Sequence, residues 1–195
     1  MDLLFATTNK NKIIEIKEIL GEDVNVLSLK DVGIDIDVVE DGSTFVENAS
    51  IKAKAYAAAA GIPAMADDSG LEVDYLDKAP GIYSARFLGE DTSYDIKNNY
   101  IIDKLAGVEG EARSARFVCA MALAKPNGDV LTTEGVIEGR IGYEIAGENG
   151  FGYDPIFFLP EYGKTTAELS PEEKNAISHR GRATRAMKEL MSDWL

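Results

Sequence analysis

The spacing of apolar residues changes several times along the chain, and each change marks an element. Leu3 to Thr7 is a short apolar run that gives way at Thr8-Asn9 to helical spacing, Ile13, Ile14, Ile16, Ile19 and Leu20, closed by Gly21. That pattern predicts a strand, a tight turn and a helix. Val24 to Leu29 reads as a second strand, and an acidic loop follows up to Glu40-Asp41-Gly42. Thr44-Phe45-Val46-Glu47 has the form of a capping box and opens an alanine-rich helix that runs to Gly61. Ile62 to Ala66 reads as a buried strand ending at Asp67-Asp68-Ser69-Gly70, with Leu71 to Leu76 as a further strand.

Beyond this point Thr92 or Ser93 is placed to cap a helix that reaches Leu105. Ser114 to Ala124 and Val130 to Arg140 are extended stretches joined by Pro126-Asn127-Gly128-Asp129, a hairpin signal that argues against a purely parallel sheet. Ile156 to Leu159 is a last short strand, and Ser170-Pro171-Glu172-Glu173 opens the C-terminal helical region with Pro at the first helical position. No internal repeat, low-complexity tract or long linker interrupts the 195 residues, so the expectation is a single domain over 1–195, with room for two lobes.

Composition narrows the function. A net charge of −14 repels polyanions on average, which speaks against a general nucleic-acid or membrane surface. A bound phosphate then needs a local basic cluster, and Lys164, Lys174, Arg180, Arg182, Arg185 and Lys188 supply one toward the C-terminus. Cys119, the sole cysteine, lies in the apolar run Phe117 to Met121 and reads as a small buried hydrophobe. No basic leader opens the chain and no apolar stretch approaches about 18 residues, so the expected location is the cytoplasm.

Candidate chemistry gathers in three places. The turn Thr7-Thr8-Asn9-Lys10-Asn11-Lys12 joins a strand to a helix N-terminus, where backbone N–H groups and the helix dipole favour an anion, although on the turn alone an ordinary Asn cap with solvated lysines is the preferred reading. At about 100° per residue, Phe45, Ala49 and Tyr56 share a helical stripe with Lys52 at its edge. The lysine therefore either snorkels past the core or meets an anion, for which Glu40 is near in sequence. Asp67-Asp68 follows an apolar strand, where open α/β sheets place ligands and where carboxylates beside a phosphate call for a divalent ion between them. In the last third, glycines on either side of Phe151 leave a ring able to stack on a base. His179 is the only histidine, which rules out a multi-histidine metal site.

Taken in order, Thr7-Thr8-Asn9-x-x-Lys12, Glu40 with Thr44-Phe45-x-x-Asn48-x-x-x-Lys52-Ala53, Ala66-Asp67-Asp68-Ser69-Gly70-Leu71, Pro80-Gly81-Ile82-Tyr83-Ser84-Ala85-Arg86, Gly150-Phe151-Gly152-Tyr153-Asp154-Pro155 and Lys174-Asn175-x-x-Ser178-His179-Arg180 closely resemble the Ham1-like inosine triphosphate pyrophosphatase family. Thr8 stands where members of that family often have glycine. The resemblance implies an α/β, two-lobed fold with a long bent mixed β-sheet flanked by helices and a central substrate cleft, usually as a homodimer. It implies Mg²⁺-dependent hydrolysis of non-standard purine nucleoside triphosphates to monophosphate and pyrophosphate. Thr7, Thr8, Asn9, Lys10, Asn11 and Lys12 would bind the triphosphate together with Lys52, Glu40 and Asp68 would hold Mg²⁺, and Asp68 would also be the general base. Ser69 would support substrate from the same turn; Phe151 would stack on the purine, with Gly152 and Tyr153 in its loop and Asp154, Lys174, His179 and Arg180 around its edge. A 6-oxo purine offers the acceptors O6 and N7 to such donors, whereas adenine offers an amino group that leaves them unpaired. A general nucleoside triphosphatase and a nucleotide sensor without turnover are the alternatives, the latter disfavoured because both acids are present.

Overall fold

The computed structural model describes residues 1–195. Its strands are β1 (Asp2–Phe5), β2 (Asn25–Leu27), β3 (Ala64–Val73), β4 (Ser114–Ala124), β5 (Val130–Ile141), β6 (Phe157–Leu159) and β7 (Lys164–Thr165). They form a seven-stranded sheet in the order β2-β1-β3-β4-β5-β6-β7. β1 pairs parallel with both β2 and β3, whereas β5 with β6 and β6 with β7 are antiparallel. The sheet is therefore mixed, as the hairpin signal required. Five α-helices accompany it: α1 (Lys10–Leu20), α2 (Phe45–Ala60), α3 (Tyr94–Lys104), α4 (Pro171–Ile177) and α5 (His179–Trp194). None is long and apolar enough to cross a membrane.

The chain divides into two compact units. The first comprises Met1–Ser69, Cys119–Gly135 and His179–Leu195, and the second Gly70–Val118 and Val136–Ser178. In the first, the two-residue period of β1 sends Leu3 and Phe5 to one face, where they join Met65, Cys119, Met121 and Leu123 beneath Ile16 and Leu20 of α1. Ala183, Met187 and Met191 recur every four residues on α5 and cover the same cluster. Gly135 permits this: a Cβ there would lie 2.1 Å from the His179 carbonyl oxygen. The core of the second unit includes Leu71, Val73, Ile101, Phe117, Ile137, Ile156 and Phe157.

Three local readings are corrected by the structure. The segment 64–73 is one unbroken strand, so Asp67 and Asp68 stand in its middle rather than at an exposed end. Asn25–Leu27 is shorter than the apolar run around it. Thr44 caps α2 by accepting from the Glu47 N–H, but the Glu47 carboxylate turns to Ser43, accepting from its N–H at 2.6 Å and its hydroxyl at 2.8 Å, so the box is not reciprocal. At Ser170 the reciprocal box does form, with Glu173, and Pro171 opens α4.

Candidate active site

The unbroken strand β3 sends adjacent carboxylates to opposite faces, because successive side chains alternate. Asp67 points with Ser69 toward α1 and α5 and is only 2% exposed. Lys12 from α1 reaches it at 3.0 Å, Arg180 from the start of α5 at 3.4 Å, and the Ser69 hydroxyl donates to it at 2.7 Å. Burial alone would lift the Asp67 carboxyl, but the charges of Lys12, Arg180 and Lys52 overcome it and hold the group well below the usual carboxylate range. Arg180 also pairs with Glu15 of α1 at 2.6 Å and donates to the Ser69 hydroxyl at 3.3 Å. Burial disfavours its charge, and Asp67 and Glu15 more than restore it. Cys119 lies under this network, its thiol pushed up to about 12 by burial and by the Asp67 charge.

Asp68, on the other face, meets α2. The Asn48 amide donates to its Oδ2 at 3.1 Å while accepting from the Gly42 N–H at 2.8 Å, so one side chain ties the acidic loop to the strand. A Cβ at Gly42 would come within 2.7 Å of Asn48 Oδ1, which explains the glycine. Tyr56 donates to the Ile36 carbonyl and secures the same loop upstream. Glu40 is thereby brought to Lys52, whose ammonium lies 2.7 Å from the carboxylate and donates to the Asp67 carbonyl at 2.6 Å. Lys52 thus meets anions rather than snorkelling. Burial disfavours its charge, but Asp67 and Glu40 raise its proton affinity overall. Asp68 is different: burial, the largest influence, pushes its carboxyl up to about 6, and the opposing pull of Lys52 and Asn48 falls short, with Glu40 adding repulsion.

Glu40 and Asp68 are hard oxygen donors suited to Mg²⁺, and they join no group of three or more acidic, histidine or cysteine ligands. Two carboxylates of that kind fit the way Mg²⁺ is commonly held, with water and substrate phosphate completing the shell. In the turn before α1, the Asn9 side chain accepts from the N–H groups of Asn11 and Lys12 at 3.0 and 3.4 Å, and Thr7 Oγ1 accepts from the Asn9 N–H at 3.1 Å. The cap reading is therefore correct for these backbone donors. Thr8, Lys10 and Asn11 are exposed, and Lys12 folds onto Asp67.

In the second unit the loop 150–154 is built around a buried carboxylate. Asp154 accepts from the Phe151 N–H at 2.9 Å, from the Lys174 ammonium at 2.7 Å and from the Thr166 hydroxyl at 2.8 Å. A Cβ at Gly150 would lie 2.2 Å from Asp154 Oδ2, so only glycine admits this closure. Lys174, carried on α4, also stands over the half-buried Phe151 ring, 4.8 Å from its centroid. Tyr153 donates to the Ser84 carbonyl at 2.6 Å and packs edge-on against Tyr94. The candidates therefore sort by unit. Phe151, Gly152, Tyr153, Asp154 and Lys174 gather in the second, whereas Lys12, Glu40, Lys52, Asp68, Ser69 and Arg180 gather in the first, where His179 also opens α5. Glu15 was not among the sequence candidates, and Asp67 was singled out with Asp68 but given no role of its own. Glu15 had a signal, since it follows Lys12 by three residues and shares its helix face.

Comparison with known proteins gives the family. A sequence model of the Ham1 family matches residues 3–190. A dITP/XTP pyrophosphatase from Exiguobacterium sibiricum is 48% identical over 196 residues, covering 100% of this chain and 99% of the relative. Its counterpart in Thermus thermophilus is 46% identical over 194 residues, covering 99% and 93%. Among solved structures, a HAM1 protein from Coxiella burnetii superposes with a TM-score of 0.89 at 40% identity, covering 99% of each chain. The Staphylococcus aureus Ham1 protein gives 0.88 at 39% identity, covering 100% of each. By sequence over nearly its whole length and by fold, the chain belongs to the Ham1 family.

Proposed function

We propose that the chain is a nucleoside-triphosphate pyrophosphatase that hydrolyses the non-standard purine nucleotides dITP, ITP and XTP to monophosphate and pyrophosphate, clearing them from the nucleotide pool. The observation that carries the reading is the division of labour between two adjacent carboxylates. Asp67 is locked ionised by Lys12, Arg180 and Lys52, while burial lifts Asp68 in the metal-free protein to about 6, a value that a bound cation would lower by favouring the ionised form. Neighbouring acids driven apart in this way mark an acid–base site. The names of the relatives support the substrate class.

In this reading Asp68 takes the proton of the water that attacks phosphorus, and the α–β anhydride bond breaks with pyrophosphate as leaving group. Asn48 orients the Asp68 carboxylate. Lys12 and Lys52 offer ammonium groups to the phosphates, aided by Thr7, Thr8, Asn9, Lys10 and Asn11 of the turn, and Ser69 supports them from β3. A Mg²⁺ ion held by Glu40 and Asp68 would offset the charge of the triphosphate against these acids. Phe151 supplies a stacking surface for a purine, and Lys174, set by Asp154, is a donor suited to O6 or N7. His179 is carried over as a base-edge donor. The structural partners of Arg180 favour a different part for it, as the charge that keeps Asp67 ionised. The family resemblance further points to a homodimer, which sedimentation can test, and the sequence to a cytoplasmic location. Phosphorus NMR of inosine triphosphate turnover tests the main reading: monophosphate and pyrophosphate are expected, and release of orthophosphate would overturn it.

A further inference from the structure

Two consecutive polar residues of α3, Lys97 and Asn98, are almost wholly buried, at 1% and 2% exposure. Neither meets a carboxylate. Each donates to a main-chain carbonyl of another segment: Lys97 to Ala85 at 2.7 Å, and Asn98 through Nδ2 to Gly152 at 3.1 Å. The second contact reaches the loop that carries Phe151. That loop has glycines on both sides of the ring, with φ of +71° at Gly150 and +66° at Gly152, so its own backbone resists displacement poorly. Upstream the main chain is tied at the Phe151 N–H by Asp154; downstream it is tied at the Gly152 carbonyl by Asn98.

We propose that Asn98 is a positioning residue for the base platform, holding the Gly152 carbonyl so that the Phe151 ring stands where a purine stacks. The choice of residue argues for this. Asn98 Oδ1 is buried with no hydrogen-bond partner, a cost that an apolar side chain of similar size would avoid. What the amide provides in exchange is its donor to Gly152. A residue selected only for packing between α3 and the loop would not carry an unmatched acceptor.

The inference rests on the reading of Phe151 as the purine platform, and the test separates the two. Asn98→Leu and Asn98→Asp remove the donor, the second at constant size, and Phe151→Ala is measured beside them. Affinity for inosine monophosphate is expected to fall about tenfold in both Asn98 variants, as suits the loss of one well-placed hydrogen bond. Inhibition by inorganic pyrophosphate, which engages the lysines of the first unit, stays within about twofold of wild type. Acidification should restore monophosphate affinity, relative to wild type, in Asn98→Asp alone, because the protonated carboxyl again donates to the Gly152 carbonyl. Should Asn98→Leu fail to fold, the isosteric Asp variant and its recovery in acid decide the matter. Unchanged monophosphate affinity in the folded Asn98 variants, with a loss in Phe151→Ala, overturns the positioning role and leaves the platform standing. Unchanged affinity in Phe151→Ala overturns the platform itself. A parallel loss of monophosphate and pyrophosphate affinity in the Asn98 variants, without recovery in acid, would reduce Asn98 to a structural residue.

Discussion

Replacing Asp68 by asparagine should stabilise the metal-free protein while removing its activity. The carboxyl stands in the middle of β3 with its proton affinity raised from 3.8 to about 6, chiefly by burial. A group whose folded value lies above its unfolded one binds its proton more tightly in the folded state, so its contribution to stability is lost as pH rises from about 4 through 6. Two units correspond to about 3 kcal/mol as an upper bound, and on the order of 1–2 kcal/mol after allowance for solvent reaching this half-buried side chain. The introduced amide carries no charge and keeps an oxygen for the Asn48 donor. At pH 7.5 and in chelator, the variant should therefore melt about 2–8 °C above wild type. The difference should shrink to nothing below about pH 4, where both proteins are neutral at this position. Excess Mg²⁺ should narrow the gap by stabilising wild type more than the variant. Differential scanning fluorimetry across pH 4 to 8, with turnover measured in parallel, checks all of this. A variant less stable than wild type at pH 7.5, or one that turns over near-normally, would refute the assignment of Asp68 as a strained, reactive carboxylate.

Arg180→Ala should have the opposite signature, since it leaves Asp67 and Glu15 without their shared cation. A loss of about 3–5 kcal/mol is expected in urea unfolding, and a loss under 1 kcal/mol would return Arg180 to a purely substrate-facing role. Lys52→Ala should weaken inhibition by pyrophosphate more than by inosine monophosphate, and equal weakening would count against a phosphate-binding lysine. Chelation should abolish turnover and Mg²⁺ restore it; full activity in excess chelator would remove the metal from the account.

What was legible in the sequence was mostly local. The hairpin over 114–141 was visible because Asn127-Gly128 sits between two apolar runs, and Gly128 indeed takes a φ of +95° in that turn. The Ser170 box was visible because both partners lie three residues apart. Asp67-Asp68-Ser69-Gly70 looked like the end of a strand because its composition is that of a turn. The strand continues because partners distant in sequence accept the acids: Lys12 lies 55 positions away from Asp67 and Arg180 lies 113. No local pattern reveals such pairs. Arg180 was grouped with Lys174 and His179 through the family resemblance, and the ion pairs of its guanidinium with Asp67 and Glu15 were out of reach of any local pattern. Asn98 escaped notice because a polar residue on a helix ordinarily faces water. The pair Lys164–Thr165 was missed as a strand because two residues carry no periodicity.

The most direct test of the central claim is a competition experiment in which dITP, XTP and dATP are mixed in equal amounts with the protein and Mg²⁺, and their disappearance is followed together by ion-exchange chromatography. In the proposed site Lys174, which stands over Phe151, is the donor suited to a 6-oxo purine, and a buried donor left unmatched by adenine costs about 1–3 kcal/mol. The account predicts that dITP and XTP are converted to their monophosphates with efficiencies more than about tenfold above that of dATP. Consumption of all three at the same rate would contradict it.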